Sequence, residues 1–432
     1  MIKKRVDVIT LGCSKNLVDS ELLIKQFQAN GYLVEHDSPN PQGEVIVINT
    51  CGFIGDAKEE SIETILNFVE ARKQGKISKL FVMGCLSERY FDELGKEIPE
   101  VDKFYGKFKW KDLISEMGIA YRADLKNERS LTTPGHYAYL KVSEGCNRSC
   151  SYCAIPIITG KHQSRSIESL VDEAERLAKK GVKELQVIAQ DLSYYGVDLY
   201  KKQMLAPLIR ELSKVDGIEW IRLHYAYPAG FPMDVLDEMA QNPKVCKYMD
   251  IALQHISDPM LTAMRRKVTR EQTYALLHKM RETVPGIHLR TTLIAGHPGE
   301  TEADFQDLMA FVEEMKFERL GVFSYSHEED TYAYRHYKDD VDPELKQERA
   351  DALMELQNGI SRAHNEAKVG QVLKVIVDRE ENGYYVGRSE FDSPEVDPEV
   401  LISSTRALAP GTFYELRITG AEDYDLFAEV AE

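Results

Sequence analysis

The chain has 432 residues, a formal net charge of −17, 43% hydrophobic and 29% charged residues. That length accommodates roughly two to four domains, and the composition excludes a largely disordered or collagen-like chain. No apolar run reaches the ~18 residues of a membrane-spanning helix. Residues 1–7 carry charges but no apolar signal-peptide core, and charged Asp7 interrupts the segment early, so the expected address is the cytoplasm.

The first third alternates strand and helix patterns. Val6–Leu11 reads as a buried strand followed by Gly12-Cys13, and Leu17–Asn30 as an amphipathic helix closed by Gly31. The apolar run Val45–Ile48 leads into Asn49-Thr50-Cys51-Gly52; Ala57–Lys73 has helical periodicity. Leu80–Met83 is a third strand, followed by Gly84-Cys85. Continuous apolar strands alternating with helices predict an open parallel sheet. All three cysteines fall just past a strand's C-terminal end, the edge where open α/β sheets bind ligands. Three thiols on that edge can converge on one point.

A linker is expected near 125–136. Six further strands follow at Tyr139–Val142, Glu184–Ile188, Trp220–Tyr225, Met249–Leu253, Leu289–Ile294 and Leu320–Phe323. Helices are expected at Ile167–Lys180, Met233–Asn242, Glu271–Val284 and Glu302–Met315. This falls short of the eight units of a full barrel, so a partial (βα)6 barrel is predicted. Pro343–Lys368 reads as one long charged helix. Beyond Gly370, short alternating strands separated by Gly, Pro, Asn and Asp turns predict a small antiparallel β-barrel. The expected organisation is therefore α/β, with domains at 1–125, 132–365 and 366–432. Residues 366–432 hold 15 acidic and 6 basic residues, more than half of the net charge. Such a balance disfavours nucleic acid and suits a basic partner.

Seven cysteines without a secretory context read as ligands or catalysts rather than disulfides. Cys146-Asn147-Arg148-Ser149-Cys150-Ser151-Tyr152-Cys153 has the spacing C-x3-C-x2-C. Three thiolates on one loop can hold three irons of a [4Fe–4S] cube and leave the fourth open. Structural zinc sites want four ligands. Cys246, in Val245-Cys246-Lys247, reads as an ordinary buried thiol.

The motif, with aromatic Tyr152 before its last cysteine, resembles the signature of the radical S-adenosylmethionine (SAM) superfamily. The resemblance implies that the open iron chelates SAM and that an electron from the cluster cleaves SAM to a 5′-deoxyadenosyl radical. It also implies SAM contacts. Thr292–Glu300, with Gly296 and Glu300, resembles the segment flanking the adenine, although His297 departs from the expected residue. Gln190 ends the second strand, where the superfamily contacts the SAM amino group, and Gln254 ends the fourth.

The segments around Cys13, Cys51 and Cys85 resemble the N-terminal domain of the methylthiotransferases, and the C-terminal β-module resembles a TRAM domain. Almost the whole chain is then covered. The resemblance implies a second [4Fe–4S] cluster on Cys13, Cys51 and Cys85 that presents sulfur to a carbon radical, with a second SAM as methyl donor. Radical generation and sulfur delivery are cofactor chemistry, and an external reductant and sulfur donor are implied. Gly12–Glu21 and Cys51-Gly52-Phe53-Ile54 resemble the branch that modifies an aspartate of the twelfth small-subunit ribosomal protein. The acidic C-terminal module, including the run Glu390–Glu399, can steer such a basic substrate. The alternative is a tRNA adenosine methylthiotransferase with the same cofactors, which a basic stripe on the TRAM-like module would mark. An electron carrier would need fully ligated clusters, and two three-cysteine sites argue against it.

Overall fold

A computed structural model describes residues 4–431. The chain forms two compact units. The first runs to Thr133 and takes in 144–148 and 153–162; the second holds the rest.

The first unit is a five-stranded parallel sheet of β1 (Arg5–Thr10), β2 (Leu33–His36), β3 (Val45–Thr50), β4 (Lys79–Gly84) and β5 (Lys103–Phe104), in the order β2-β1-β3-β4-β5. Every residue of β3 is buried because helices cover both faces of the sheet. Ile46 and Ile48 pack with Ile65 and Val69 of α2 (Gly55–Lys73), while Val47 packs with Leu23 and Phe27 of α1 (Ser14–Ala29). A short helix, α3 (Cys85–Arg89), follows β4 directly. The sequence reading lacked β2 and β5. Both are edge strands, of four and two residues, too short and too exposed to carry an apolar run.

The second unit contains an open six-stranded parallel sheet of β6 (Tyr137–Lys141), β7 (Glu184–Ile188), β8 (Trp220–Ala226), β9 (Val245–Ile251), β10 (His288–Ala295) and β11 (Arg319–Ser324), in sequential order. Helices α4 (Ile167–Lys179), α5 (Leu205–Ser213), α6 (Asp234–Gln241), α7 (Arg270–Thr283) and α8 (Glu302–Met315) provide the crossovers. Thr269 and Thr301 close capping boxes on α7 and α8. Strand β9 starts four residues before its predicted position: Val245, Cys246 and Tyr248 are buried at its opening, and the half-buried Lys247 between them interrupts the apolar run in sequence.

Helix α9 (Pro343–Glu366) leads to a closed barrel of β12 (Val372–Glu381), β13 (Tyr384–Ser389), β14 (Val400–Ser403), β15 (Phe413–Ala421) and β16 (Leu426–Val430). The expected barrel was wholly antiparallel. The final strand instead closes it between β14 and β15, pairing parallel with β14 and antiparallel with β15.

The acidic run of this barrel is not a solvated loop. Residues 389–397 cover the N-terminal ends of the six-stranded sheet. Asp392 pairs with Arg319 at 2.5 Å, and Asp397 accepts from the Tyr248 hydroxyl at 2.6 Å and pairs with Arg290 at 3.2 Å. Glu395 accepts from the hydroxyls of Tyr137 and Tyr139. Deeper lies a fully buried pair: Arg222 meets Glu184 at 2.9 Å and donates to the carbonyls of Ser389 and Glu390. Arg388 reaches the other oxygen of Glu184 at 2.9 Å and Asp378 at 2.6 Å. Cys246 packs beside them with Trp220, Tyr248 and Ile376, and burial pushes its thiol up to about 12.

Candidate functional site

In the first unit, β1, β3 and β4 are neighbours, and the chain reverses its direction of travel across the sheet between β1 and β3. Such a switch point opens a crevice at the strand C-termini. Gly12 turns with φ +89° and places Cys13 at the start of α1. Cys51 follows β3, and its N–H donates to the Ser61 hydroxyl, which donates back to the Cys51 carbonyl. Gly84 turns with φ +105°, and Cys85 opens α3.

Asn16 ties the three loops together. Its Nδ2 donates to the carbonyls of Leu11 and Thr50, both at 3.0 Å, and its Oδ1 accepts from the Cys85 thiol at 3.5 Å. The loops also approach too closely for side chains. A Cβ on Gly12 would stand 2.7 Å from the Cys51 Cβ, and one on Gly52 would stand 2.6 Å from the Leu86 backbone. In sequence, Asn16 is one residue of the Gly12–Glu21 segment with no role of its own. Its signal was position: one helical turn after a strand-end cysteine.

Lys107, just past β5, is almost fully buried and meets Glu144 at 3.3 Å. Protein crowding raises the pKa of the Cys13 thiol, but Lys15, Lys107 and the backbone N–H groups of Lys15 and Asn16 together outweigh it and leave the thiol more acidic than usual. Burial pushes Cys85 up to about 12, against the pull of Lys107. Burial likewise raises Cys51. A nearby cation favours the thiolate form, and Lys107 acts in that direction on both Cys13 and Cys85.

In the second unit, Ser149–Tyr152 of the C-x3-C-x2-C motif are anchored from several strand-end loops. The Ser151 N–H donates to Met264, and its carbonyl accepts from Ala333. The Cys150 Sγ receives Arg266 Nη1 at 3.1 Å and lies 3.7 Å from the Tyr227 hydroxyl. The flanks with Cys146 and Cys153 belong to the first unit. There the Cys146 N–H donates to Gly160, and a Cβ on Gly145 would stand 2.3 Å from the Lys161 carbonyl oxygen.

Gln190, half-buried, follows β7. Gln254 has φ +75° and bridges to Leu293 beyond β9. Gly296 follows β10 directly and its N–H donates to Glu300. The Glu300 carboxylate also meets Arg349 at 2.8 Å and His255 at 3.3 Å, so it braces the Gly296 turn. His297 is fully buried, and its Nε2 lies 3.3 Å from the Ser151 hydroxyl. Burial lowers its pKa to about 4.

That lowering has a testable consequence. The unfolded His297 takes up its proton near pH 6.5, and the folded one only near pH 4. Its contribution to stability is complete above pH 6.5 and drains away as the pH falls toward 4. Between pH 7 and pH 5 the loss is about 2 kcal/mol. Urea titrations of His297→Phe at both pH values are expected to lack that part of the slope, while His288, also lowered by burial, keeps its own share.

The donor chemistry fits iron–sulfur clusters. Among the described residues no three Cys, His, Asp or Glu side chains gather at single-ion spacing; thiols bound to different irons of one cube stand farther apart than that. The buried hydroxyls of Ser14, Ser87 and Ser149 have no hydrogen-bond partner among the described residues. Each lies within two residues of a cysteine, where cluster sulfur would accept from it. Asn16→Ala is expected to cost about 2 kcal/mol through its two lost carbonyl bonds. The iron retained after anaerobic reconstitution is expected to fall to roughly half, the content of one cube, measured by iron and sulfide analysis.

An open parallel α/β sheet with C-x3-C-x2-C beyond its first strand defines the class, the radical SAM proteins, which use SAM and a [4Fe–4S] cluster. Family profiles agree: the radical SAM superfamily matches residues 140–312, a TRAM domain 369–431, and the family described as uncharacterized protein family UPF0004 matches 5–106. Relatives named ribosomal protein uS12 methylthiotransferase RimO are 61% identical in Porphyromonas gingivalis, 62% in Bacteroides thetaiotaomicron and 56% in Christiangramia forsetii. The alignments cover 100%, 100% and 99% of this chain and 100%, 99% and 94% of theirs. The chain belongs to the RimO family of methylthiotransferases. Among solved structures, the radical SAM methyltransferase TsrM from Kitasatospora setae, with cobalamin and a [4Fe–4S] cluster bound, has a TM-score of 0.57 at 14% identity, covering 95% of this chain and 84% of that one. This likeness concerns the fold. Among the described residues no helix is long and apolar enough to cross a membrane.

Proposed function

We propose that this chain inserts a methylthio group at the β-carbon of an aspartate in ribosomal protein uS12, in the cytoplasm. The observation that carries the reading is the juncture of three strand-end cysteine loops by Asn16 in a chain that matches RimO relatives over its full length. Cys146, Cys150 and Cys153 would hold one [4Fe–4S] cluster, and Cys13, Cys51 and Cys85 a second. When bound, these clusters and SAM supply the radical that removes hydrogen and the sulfur that replaces it.

The protein's own residues bind and orient. Asn16 and the Gly12, Gly52 and Gly84 turns hold the first unit's thiols in place, and Lys107 offsets their negative charge. Gln190, Gln254 and the Gly296 backbone would contact SAM, with Glu300 acting through its brace on the Gly296 turn. Domain limits of 1–125, 132–365 and 366–432 accompany this reading. A reductant and a sulfur donor come from outside the chain.

Charge favours a basic substrate. With Asp392, Asp397 and Glu395 engaged by the sheet, Glu380, Glu381, Glu415, Glu422 and Glu429 remain exposed on the TRAM barrel. These residues would steer uS12 electrostatically. The test is a competition. Reconstituted enzyme, SAM and reductant are mixed with a uS12 peptide carrying the aspartate and a tRNA anticodon stem. Mass spectrometry is expected to find the methylthio gain on the aspartate alone; a gain on the RNA alone overturns the substrate.

A further inference from the structure

Arg266 is a buried cation, 2% exposed, with no carboxylate partner among the described residues. Its Nη1 donates to the Cys150 Sγ and to the Tyr152 hydroxyl, both at 3.1 Å. Its Nη2 donates to the Ala252 carbonyl. Its guanidinium lies 4.1 Å from the centre of the Tyr227 ring. The Tyr227 hydroxyl, in turn, donates to the Arg266 carbonyl at 2.7 Å. The Arg266 Nε is buried with no partner among the described residues.

Burying an unpaired guanidinium is expensive, so a buried arginine is normally matched by an anion. Every other buried arginine of the second unit has a carboxylate: Arg222 has Glu184, Arg319 has Asp392, Arg349 has Glu300, and Arg388 has Asp378. Arg266 alone has sulfur instead. Its position is also constrained: it is held by the Ala252 carbonyl beyond β9 and stacked on Tyr227 beyond β8. The side chain is therefore preorganised toward the Cys150 sulfur.

Resting on the reading above, in which Cys150 is a cluster ligand, we propose that Arg266 is a positioning residue that sets the reduction potential of the barrel cluster through its hydrogen bond to Cys150. Reduction adds one electron, from the external reductant, to the cluster and its thiolates. An N–H donor and a fixed positive charge at a ligand sulfur stabilise the reduced form more than the oxidised form. Hydrogen bonds to sulfur are among the main determinants of such potentials. Lysine would retain the charge but not the planar fork that satisfies the sulfur, Tyr152 and Ala252 together.

The experiment uses the full chain with Cys13, Cys51 and Cys85 replaced by Ala, so that only the barrel cluster is reconstituted. Electron paramagnetic resonance follows its reduction against applied potential, in this parent and with Arg266→Gln or Arg266→Lys added. At a fixed potential, the ratio of reduced to oxidised cluster is expected to fall about tenfold in Arg266→Gln, a 59 mV lower midpoint for one electron. Arg266→Lys is expected to fall between that variant and the parent, and SAM affinity is expected to stay within twofold. An unmoved midpoint in a variant that retains its iron overturns the proposal. If Arg266→Gln retains no iron, the lysine variant decides by the same criterion. A loss of SAM affinity with an unmoved midpoint overturns it too, and assigns Arg266 to the SAM carboxylate. A parent that shows no [4Fe–4S] signal overturns the ligand reading of Cys150, and the proposal falls with it.

Discussion

Replacing Cys150 by Ala is expected to reduce SAM cleavage to the background of iron-free protein, measured as 5′-deoxyadenosine formed anaerobically with a strong reductant. Two effects combine. On the proposed assignment, one of the three thiolates of the C-x3-C-x2-C loop disappears, and an iron of the cluster would lose its ligand. Arg266 also loses the sulfur that receives its Nη1 and becomes a buried cation facing only neutral partners. Replacing Cys51 by Ala is expected to separate the two chemistries. It lies on the first unit's sheet edge, so SAM cleavage should persist while methylthio insertion into the uS12 peptide stops. Wild-type 5′-deoxyadenosine yield from the Cys150 variant, or wild-type methylthio yield from the Cys51 variant, would contradict the assignment of that residue.

Glu184→Leu is expected to destabilise the second unit by about 3–5 kcal/mol, because it leaves Arg222 buried without a carboxylate. Arg222 and Glu184 are both fully excluded from solvent, and Arg388 shares the same carboxylate. In a unit of this size the melting temperature should fall by roughly 10 °C. The double variant Glu184→Leu with Arg222→Met should recover most of that loss, since it removes the orphaned charge as well. Thermal melts of the two variants and of Arg222→Met alone complete the cycle. Equal losses in the single and double variants would show that the charge pair is not what holds this end of the sheet.

These two predictions draw on different levels of information. The cysteine pattern was legible because it is local: C-x3-C-x2-C is one loop, and Cys13, Cys51 and Cys85 each follow an apolar strand run; their ligand role belongs to the proposed function. The six long strands and most helices were legible for the same reason, since burial on both faces writes continuous apolar runs and amphipathic periods into the chain. Strands β2 and β5 were not, because an edge strand of a few half-exposed residues carries no such pattern.

The acidic run at 389–397 shows the limit most plainly. Its composition alone suggested solvated charge available to a basic partner. In the fold, Asp392, Glu395 and Asp397 meet Arg319, Tyr137, Tyr139, Tyr248 and Arg290, drawn from four strands more than 70 residues away in sequence. A charge pattern records sign, and only tertiary packing decides what the charge faces. Asn16, Lys107, His297 and Arg266 follow the same rule. Each is an ordinary polar residue in sequence and takes its role from neighbours supplied by other loops.

The sequence by itself determined the class of chemistry, the cluster cysteines expected to carry it, and the order of three folded modules, because each of these rests on local spacing and local periodicity. Only the tertiary structure decided which side chains surround those cysteines, how the final strand closes the TRAM barrel, and where the acidic loop spends its charge. Those outcomes depend on long-range pairing, in which the desolvation cost of a buried charge favours arrangements whose partners offset it.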